Sequence, residues 1–179
     1  MKTKNIKILI AGEGGQGVQT ISKILTEAAY HRGLEVSFVP NYGVEQRGGV
    51  SLGYIKFGKD QINYPKFIIA DIAVFLSERS VGRAEDYVNK NSIIIYNKDF
   101  VKTAPKNSKG YSFDSLANEM GSNRVMNMLV LGLIARHIKN ILSLEDIKAE
   151  MNKKLVHKYK QYPKLKKMNI EALEAGYKL

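Results

Sequence analysis

Lys7-Ile8-Leu9-Ile10-Ala11-Gly12-Glu13-Gly14-Gly15-Gln16-Gly17-Val18 is the stretch of sequence that decides the fold. Its first five residues form a branched apolar run of strand length, cut off by a glycine turn. Beyond the turn, Val18, Ile21, Leu25, Ala28 and Ala29 recur at helical spacing as far as Arg32-Gly33, a basic residue followed by a glycine stop. A strand, a glycine turn and a helix in immediate succession open an α/β fold. Glycines let the backbone turn tightly and approach a ligand. The helix N-terminus beyond them presents unpaired N–H groups and a positive dipole end, which suit a phosphate or carboxylate.

The spacing of Gly12, Gly14 and Gly17 matches part of a dinucleotide fingerprint. The full fingerprint needs an acid at the end of the second strand to hold a ribose. The second strand is expected at Glu35 to Val39, with its acid at the beginning and Pro40-Asn41 at its end. The Lys-Ser/Thr ending of an ATPase phosphate loop is also missing. A ligand-free tight turn remains the alternative to an anion site. A second constellation, Tyr42-Gly43-Val44-Glu45-Gln46-Arg47-Gly48-Gly49, precedes a strand expected over Val50 to Phe57 and reads as a loop. Arg47 offers a planar, permanently charged fork for a carboxylate or phosphate. Glu45 either orients that fork or forms an internal ion pair with it, bracing the loop. Gly48 and Gly49 would expose N–H groups beside it.

With both motifs quoted, the chain resembles the gamma subunit of the 2-oxoacid:ferredoxin oxidoreductases, the pyruvate/ketoisovalerate oxidoreductase gamma family. The family's Gly-x-Gly-Gly-Gln-Gly-Val is matched from Gly12 to Val18, and its Leu-x-x-Ala by Leu25 and Ala28. Its Tyr-Gly-x-Glu-x-Arg-Gly-Gly is matched by Tyr42, Gly43, Glu45, Arg47, Gly48 and Gly49. Asn127 with Leu131-Gly132, and Asn169, Ala172 and Gly176, are similar to two later family segments. The resemblance runs from Ile6 to about Tyr177. It implies oxidative decarboxylation of a 2-oxoacid to an acyl-coenzyme A, with ferredoxin reduced. It also implies alpha and beta partner subunits, and in some members a ferredoxin-like delta subunit. Thiamine diphosphate, magnesium and iron–sulfur clusters would reside on those partners, with coenzyme A shared. The second motif is more similar to the 2-oxoglutarate and branched-chain members than to the pyruvate type. The residues expected to contact a cofactor anion or a subunit are Gly12, Gly14, Gly15, Gln16, Gly17, Tyr42, Glu45, Arg47, Gly48 and Gly49, with no catalytic residue and no metal ligand.

Composition agrees with this. The 179 residues are expected to form one domain, 1–179, with 44% apolar and 25% charged residues. No apolar run approaches a membrane span, and the polar start Met1 to Asn5 predicts a cytoplasmic location. With no cysteine, the chain cannot form a disulfide, use a thiolate nucleophile or hold an iron–sulfur cluster. His31, His137 and His157 are scattered over predicted helices without ligand or triad spacing. A Gly-Asp-Gly thiamine segment is absent. The net charge of +11 is concentrated in Lys153, Lys154, Lys158, Lys160, Lys164, Lys166 and Lys167, with Tyr159 and Tyr162 interleaved. Such a run fits a solvated face, a surface for an acidic partner or for coenzyme A phosphates, or a nucleic-acid track.

The remaining pattern predicts strands at Ile68 to Ala70, Ile72 to Leu76 and Ser92 to Tyr96, and an edge strand at Tyr111 to Phe113. Helices are expected at Arg79 to Val88, at Asn123 to Lys139, and from an N-cap at Ser143 to about Asn152. Lys102 to Gly110 reads as a loop. The expected architecture is a three-layer α/β/α sandwich with a Rossmann-like, partly parallel mixed sheet and a helical C-terminal third. A freestanding dinucleotide- or nucleotide-binding protein, or a basic nucleic-acid-binding domain, are the alternative functions.

Overall fold

A computed structural model describes residues 5–42 and 49–179 of the chain. Its strands are β1 (Ile6–Glu13), β2 (Glu35–Tyr42), β3 (Val50–Gly58), β4 (Ile72–Phe75), β5 (Ile93–Asn97) and β6 (Ser108–Tyr111). They form one sheet in the order β2-β3-β1-β4-β5-β6. β3 runs antiparallel to both β1 and β2, whereas β1, β4, β5 and β6 run parallel to one another. The sheet is therefore mixed, as expected. β1 is paired on both sides, and from it the chain leaves toward β2 on one side and later returns to β4 on the other.

Side chains along β1 alternate between two cores. Ile8 and Ile10 face one, and Leu9 and Ala11 face the other. The first and larger core is covered by α1 (Val18–His31), α3 (Phe113–Glu119), α4 (Met126–His137), α5 (Leu144–Lys154) and α7 (Pro163–Lys178). The second is covered chiefly by α2 (Glu78–Ala84) and by Phe67, Ala70 and Val101 from connecting segments. A short helix, α6 (Val156–Gln161), links α5 to α7. No helix among the described residues is long and apolar enough to cross a membrane.

Several boundaries differ from the sequence expectation, each for a physical reason. β2 continues through Pro40 to Tyr42, which is tolerated because β2 is an edge strand. Residues 68–70 form no strand: Ile68 is 83% exposed, and the Ala70 N–H donates to the Tyr87 carbonyl. Helix α2 stops at Ala84 and a 3-10 turn follows over Glu85–Tyr87, so Val88 is extended. The edge strand lies earlier than expected, at Ser108–Tyr111, and Phe113 instead starts α3 with its ring fully buried. Asp99 Oδ2 accepts from the N–H groups of Asp114 and Ser115 at 2.8 and 2.9 Å, capping α3 from 15 and 16 residues away.

Helix α4 is apolar almost all round and lies against α7 backbone to backbone. A Cβ on Gly132 would run into the Leu173 carbonyl, and one on Gly176 into the Leu129 carbonyl. Asn169, Ala172 and Gly176 fall on the same buried face of α7, so that closing segment is a packing surface. At α5 the expected cap is present: the Ser143 side chain accepts from the Asp146 N–H, and Asp146 accepts from the Ser143 N–H at 3.0 Å.

Helix propensity alone says that Gly132→Ala should stabilise α4 by about 1 kcal/mol. The obstacle to a Cβ is backbone rather than a flexible side-chain end, so Gly132→Ala is expected to destabilise the chain by about 1–3 kcal/mol, as overpacking does. Urea unfolding of the two proteins decides the sign. At the α5 cap, Ser143→Ala should cost about 1 kcal/mol. The hydrogen bonds from Ser143, and then the nearby Arg32, hold the Asp146 carboxyl below its ordinary value. Its stabilising contribution is present above the unfolded-state value and is lost as pH falls through the lowered folded-state value. Thermal melts over the acidic limb should therefore flatten in Asp146→Asn.

Candidate functional site

The glycine turn lies at the carboxyl end of β1, where chain connections depart in opposite directions along the sheet. This is where ligands bind in open α/β sheets. Gly17 is the N-cap of α1 with φ +82°, and Gly15 has φ +101°, both left-handed and suited to glycine. Gly17 is also constrained by space, since a Cβ there would sit 2.6 Å from Asn127 Nδ2. Asn127 lies in the first turn of α4, so the start of α4 lies against this turn. Its Oδ1 is buried without a hydrogen-bond partner among the described residues.

Gln16 holds the turn in place. Its Oε1 accepts from the Glu13 N–H at 2.7 Å, and its Nε2 donates to the Leu76 carbonyl at 3.0 Å, just beyond β4. The side chain thereby ties the end of β1 to the end of β4. Gly12 fits under it, because a Cβ at that position would lie 2.8 Å from Gln16 Oε1. The Gly14 N–H donates to the Gly49 carbonyl at 3.1 Å. Of the predicted contact residues, then, Gln16 has both ends of its amide engaged internally, and Gly14 has its N–H engaged. The first N–H groups of α1 have no acceptor further back in their helix, and the residues that carry them line a cleft.

That cleft has a volume of about 260 Å³ and includes Glu13, Gly15, Gly17, Gln19, Thr20 and Ser51 in its lining. Gln19 Nε2 donates to Ser51 Oγ at 2.9 Å, fixing the wall between α1 and β3. Gln19, Thr20 and Ser51 were not singled out from the sequence. Their signal is positional: the first two occupy the first turn after the glycines, and Ser51 stands opposite Gly12 in the β1–β3 register. The same register brings the two sequence motifs together. Glu13 pairs with Val50, and Tyr42 pairs with Ser51, so β1 and β2 both end where β3 begins. Gly43, Glu45, Arg47 and Gly48, and the side chain of Tyr42, lie outside the described residues. Gly49 is described, and its carbonyl anchors the returning chain to Gly14.

Elsewhere, the lysine-rich segment is less uniform than its sequence. Lys154 pairs with Glu27, Lys153 lies 3.9 Å from Glu150, and Lys167 lies 3.7 Å from Glu171. Tyr159 is buried and accepts from Asn169 Nδ2 at 3.1 Å, and burial raises its hydroxyl above the ordinary value. It is therefore withdrawn from any base-stacking role. Tyr162 is exposed, with Arg124 5.3 Å from its ring centre. His31, in the last turn of α1, pairs through Nδ1 with the buried Glu150 at 2.8 Å.

The family model described as pyruvate ferredoxin/flavodoxin oxidoreductase matches residues 7–179. Ketoisovalerate oxidoreductase subunit VorA of Methanothermobacter marburgensis is 27% identical over 177 residues, covering 97% of this chain and 36% of that relative. The chain thus spans about a third of the length of that curated relative. The gamma subunit of a keto/oxoacid ferredoxin oxidoreductase from Geobacter sulfurreducens PCA has the same fold, with a TM-score of 0.79 at 20% identity, covering 97% of this chain and 96% of that one. The 2-oxoglutarate:ferredoxin oxidoreductase from Magnetococcus marinus, solved with 2-oxoglutarate, coenzyme A and succinyl-CoA bound, gives a TM-score of 0.85 at 21% identity, covering 98% of this chain and 31% of that one. With its glycine turn, strand register and α4–α7 contact all inside the matched span, this chain belongs to the pyruvate ferredoxin/flavodoxin oxidoreductase family.

Proposed function

We propose that residues 1–179 act as one gamma-type module of a cytoplasmic 2-oxoacid:ferredoxin oxidoreductase. The observation that carries this reading is the family match over residues 7–179, within which the glycine turn opens an N-terminal cleft on α1. The reaction converts a 2-oxoacid and coenzyme A into acyl-coenzyme A and carbon dioxide, passing two electrons to ferredoxin. Thiamine diphosphate supplies the carbanion chemistry from other subunits. A chain without cysteine holds no iron–sulfur cluster, so electrons travel through partners as well. A 2-oxoglutarate or branched-chain 2-oxoacid is the favoured substrate class, which the second motif and the named relatives support.

Within the complex, this chain's own contribution is a site for an anion, the phosphates of coenzyme A. The N-terminal residues of α1 line the cleft, and the unpaired N–H groups of a helix start favour negative charge. Glu13 borders the same cleft and opposes it. A phosphate is therefore held on the Gly15–Gln19 side, and a countercharge is needed. Arg47, two residues from Gly49 along the chain, is the group assigned to supply it, with Glu45 and Tyr42 shaping the adjacent wall. A freestanding dinucleotide binder would need an acid at the end of β2, where Asn41 and Tyr42 stand.

Purification of the tagged chain from its native source without oxygen tests the reading. Thiamine- and cluster-bearing subunits should co-elute with 2-oxoacid- and coenzyme-A-dependent reduction of a viologen dye. A chain that elutes alone, with no such activity in the starting extract, overturns it. In the active complex, Arg47→Ala removes a charge-assisted hydrogen bond of about 1.5–3 kcal/mol. The expected loss is roughly 10- to 100-fold in kcat/KM for coenzyme A, with little change in melting temperature. A large melting shift with intact activity would instead assign Arg47 to an internal ion pair with Glu45.

A further inference from the structure

Among the described residues, the cleft at the start of α1 has one acid in its lining, Glu13, and no cation. The next turn of the helix carries one. Lys23 follows Gln19 by four residues and Thr20 by three, so it shares the face of α1 that bears these two lining residues, one turn or about 5.4 Å further along. Helical side chains lean toward the N-terminus of their helix, which directs the Lys23 stem back toward Gln19 and Thr20. Gln19 itself is committed to the sheet, through Ser51 Oγ at 2.9 Å and the Leu52 carbonyl at 3.3 Å.

Lys23 is exposed and makes no ion pair among the described residues. Glu27, four residues on, would be its ordinary helical partner, but Lys154 of α5 takes that carboxylate. α5 runs antiparallel to α1, since Asp146, Glu150 and Lys154 meet Arg32, His31 and Glu27 in turn. Its continuation into α6 adds Lys158 and Lys160, both exposed, in a helix without an acid. The end of α6 lies at the glycine-turn end of the molecule: the Tyr162 ring centre is 5.3 Å from the Arg124 guanidinium, and Arg124 stands three residues before the Asn127 that packs against Gly17. The surroundings of Lys23 on the α5 and α6 side are therefore basic.

Coenzyme A carries two separate anions, a diphosphate and, across one ribose, a 3′-phosphate monoester. The cleft, at about 260 Å³, is smaller than the roughly 300–1,000 Å³ of pockets that enclose a whole drug-sized ligand, so it takes one of the two. A phosphate monoester carries about −1.5 to −2 charges at neutral pH and calls for a cation of its own. We propose that Lys23 binds the 3′-phosphate of coenzyme A while the diphosphate lies at the start of α1, and that Lys23 thereby selects coenzyme A over the same molecule without that phosphate. This rests on the gamma-subunit reading given above, to which it adds a specificity-determining residue.

Assays of the purified complex with coenzyme A and with dephospho-coenzyme A, which lacks only the 3′-phosphate, test the assignment. The unaltered complex should prefer coenzyme A by about tenfold or more in kcat/KM, the effect of one charge-assisted contact. Lys23→Gln should reduce that preference to about twofold or less, whereas Lys23→Arg, which keeps the charge, should retain most of it. Equal use of the two coenzymes by the unaltered complex would overturn the assignment while leaving the subunit reading intact. A Lys23→Gln complex that keeps the full preference would overturn it too. So would one that loses the same factor with both coenzymes, which would place Lys23 at the diphosphate or in the fold. Loss of the preference in Lys23→Arg to the level of Lys23→Gln would overturn the charge argument. If the unaltered complex oxidises no 2-oxoacid in a coenzyme-A-dependent way, the subunit reading fails, and this assignment fails with it.

Discussion

The contact on which most of the structure depends is the one between Gly132 of α4 and Gly176 of α7. Neither position has room for a side chain, because the facing carbonyls of Leu173 and Leu129 occupy the space where each Cβ would lie. A helix as apolar as α4 must be buried on nearly every side. The sheet covers one side, while α1, α3 and α5 approach others. The close crossing lets α7 seal the remainder without leaving a void. The consequence reaches the candidate site, because α4 carries Asn127 at its start. Once α4 is fixed between the sheet and α7, Asn127 is set against Gly17, and the entry to α1 has one available shape.

The two faces of the sheet then have different tasks. The α1 face holds the greater part of the core and determines the geometry of the glycine turn. The α2 face is lightly built: a seven-residue helix with its own Ser77–Ser80 capping box, a 3-10 turn and connecting segments. Even so, Tyr54, Phe67 and Phe75 on this face are buried, and on the connecting segment after β3 Tyr64 and Ile68 remain exposed. Both faces are organised by the alternation of side chains on β1 and β4, in which Ile8, Ile10, Ile72 and Val74 turn one way and Leu9, Ala11, Ala73 and Phe75 the other.

Local signals explain which parts of this were legible in the sequence. The β1-turn-α1 unit, β3, β5, α4 and the α5 cap are each specified by neighbouring residues: periodicity, glycine punctuation, or a serine three residues before its partner. The features that were misplaced depend on distant residues. Helix α3 is capped by Asp99, so no nearby residue marks its start. The run Ile68-Ile69-Ala70 is apolar enough for a strand, but it has no free edge to pair with, since β4 and β5 already occupy that part of the sheet. Pro40 ends a strand in the interior of a sheet, though not at an edge, and edge position is a property of the whole topology. The pairing of the lysine-rich segment with Glu27 of α1 likewise needs the tertiary fold. In the site, the sequence identifies the glycines but not the division of labour among them.

That division of labour follows from hydrogen-bond supply. A turn that presents N–H groups to a ligand must itself be held by other donors and acceptors, or it would collapse onto its own amides. Gln16 provides the holding bonds, one to Glu13 and one to the end of β4. Gly14 gives its N–H to Gly49, which secures the chain returning from the second motif. The amides left over are those at the beginning of α1, where the positive end of the helix dipole adds to them. The residues most recognisable in sequence are thus partly scaffold. These amides lie one turn further along the chain, beside Gln19, Thr20 and Ser51, with an acid at Glu13 on the cleft's other border. A cleft with an acid on one border and helix amides on the other does not hold a highly charged phosphate by itself.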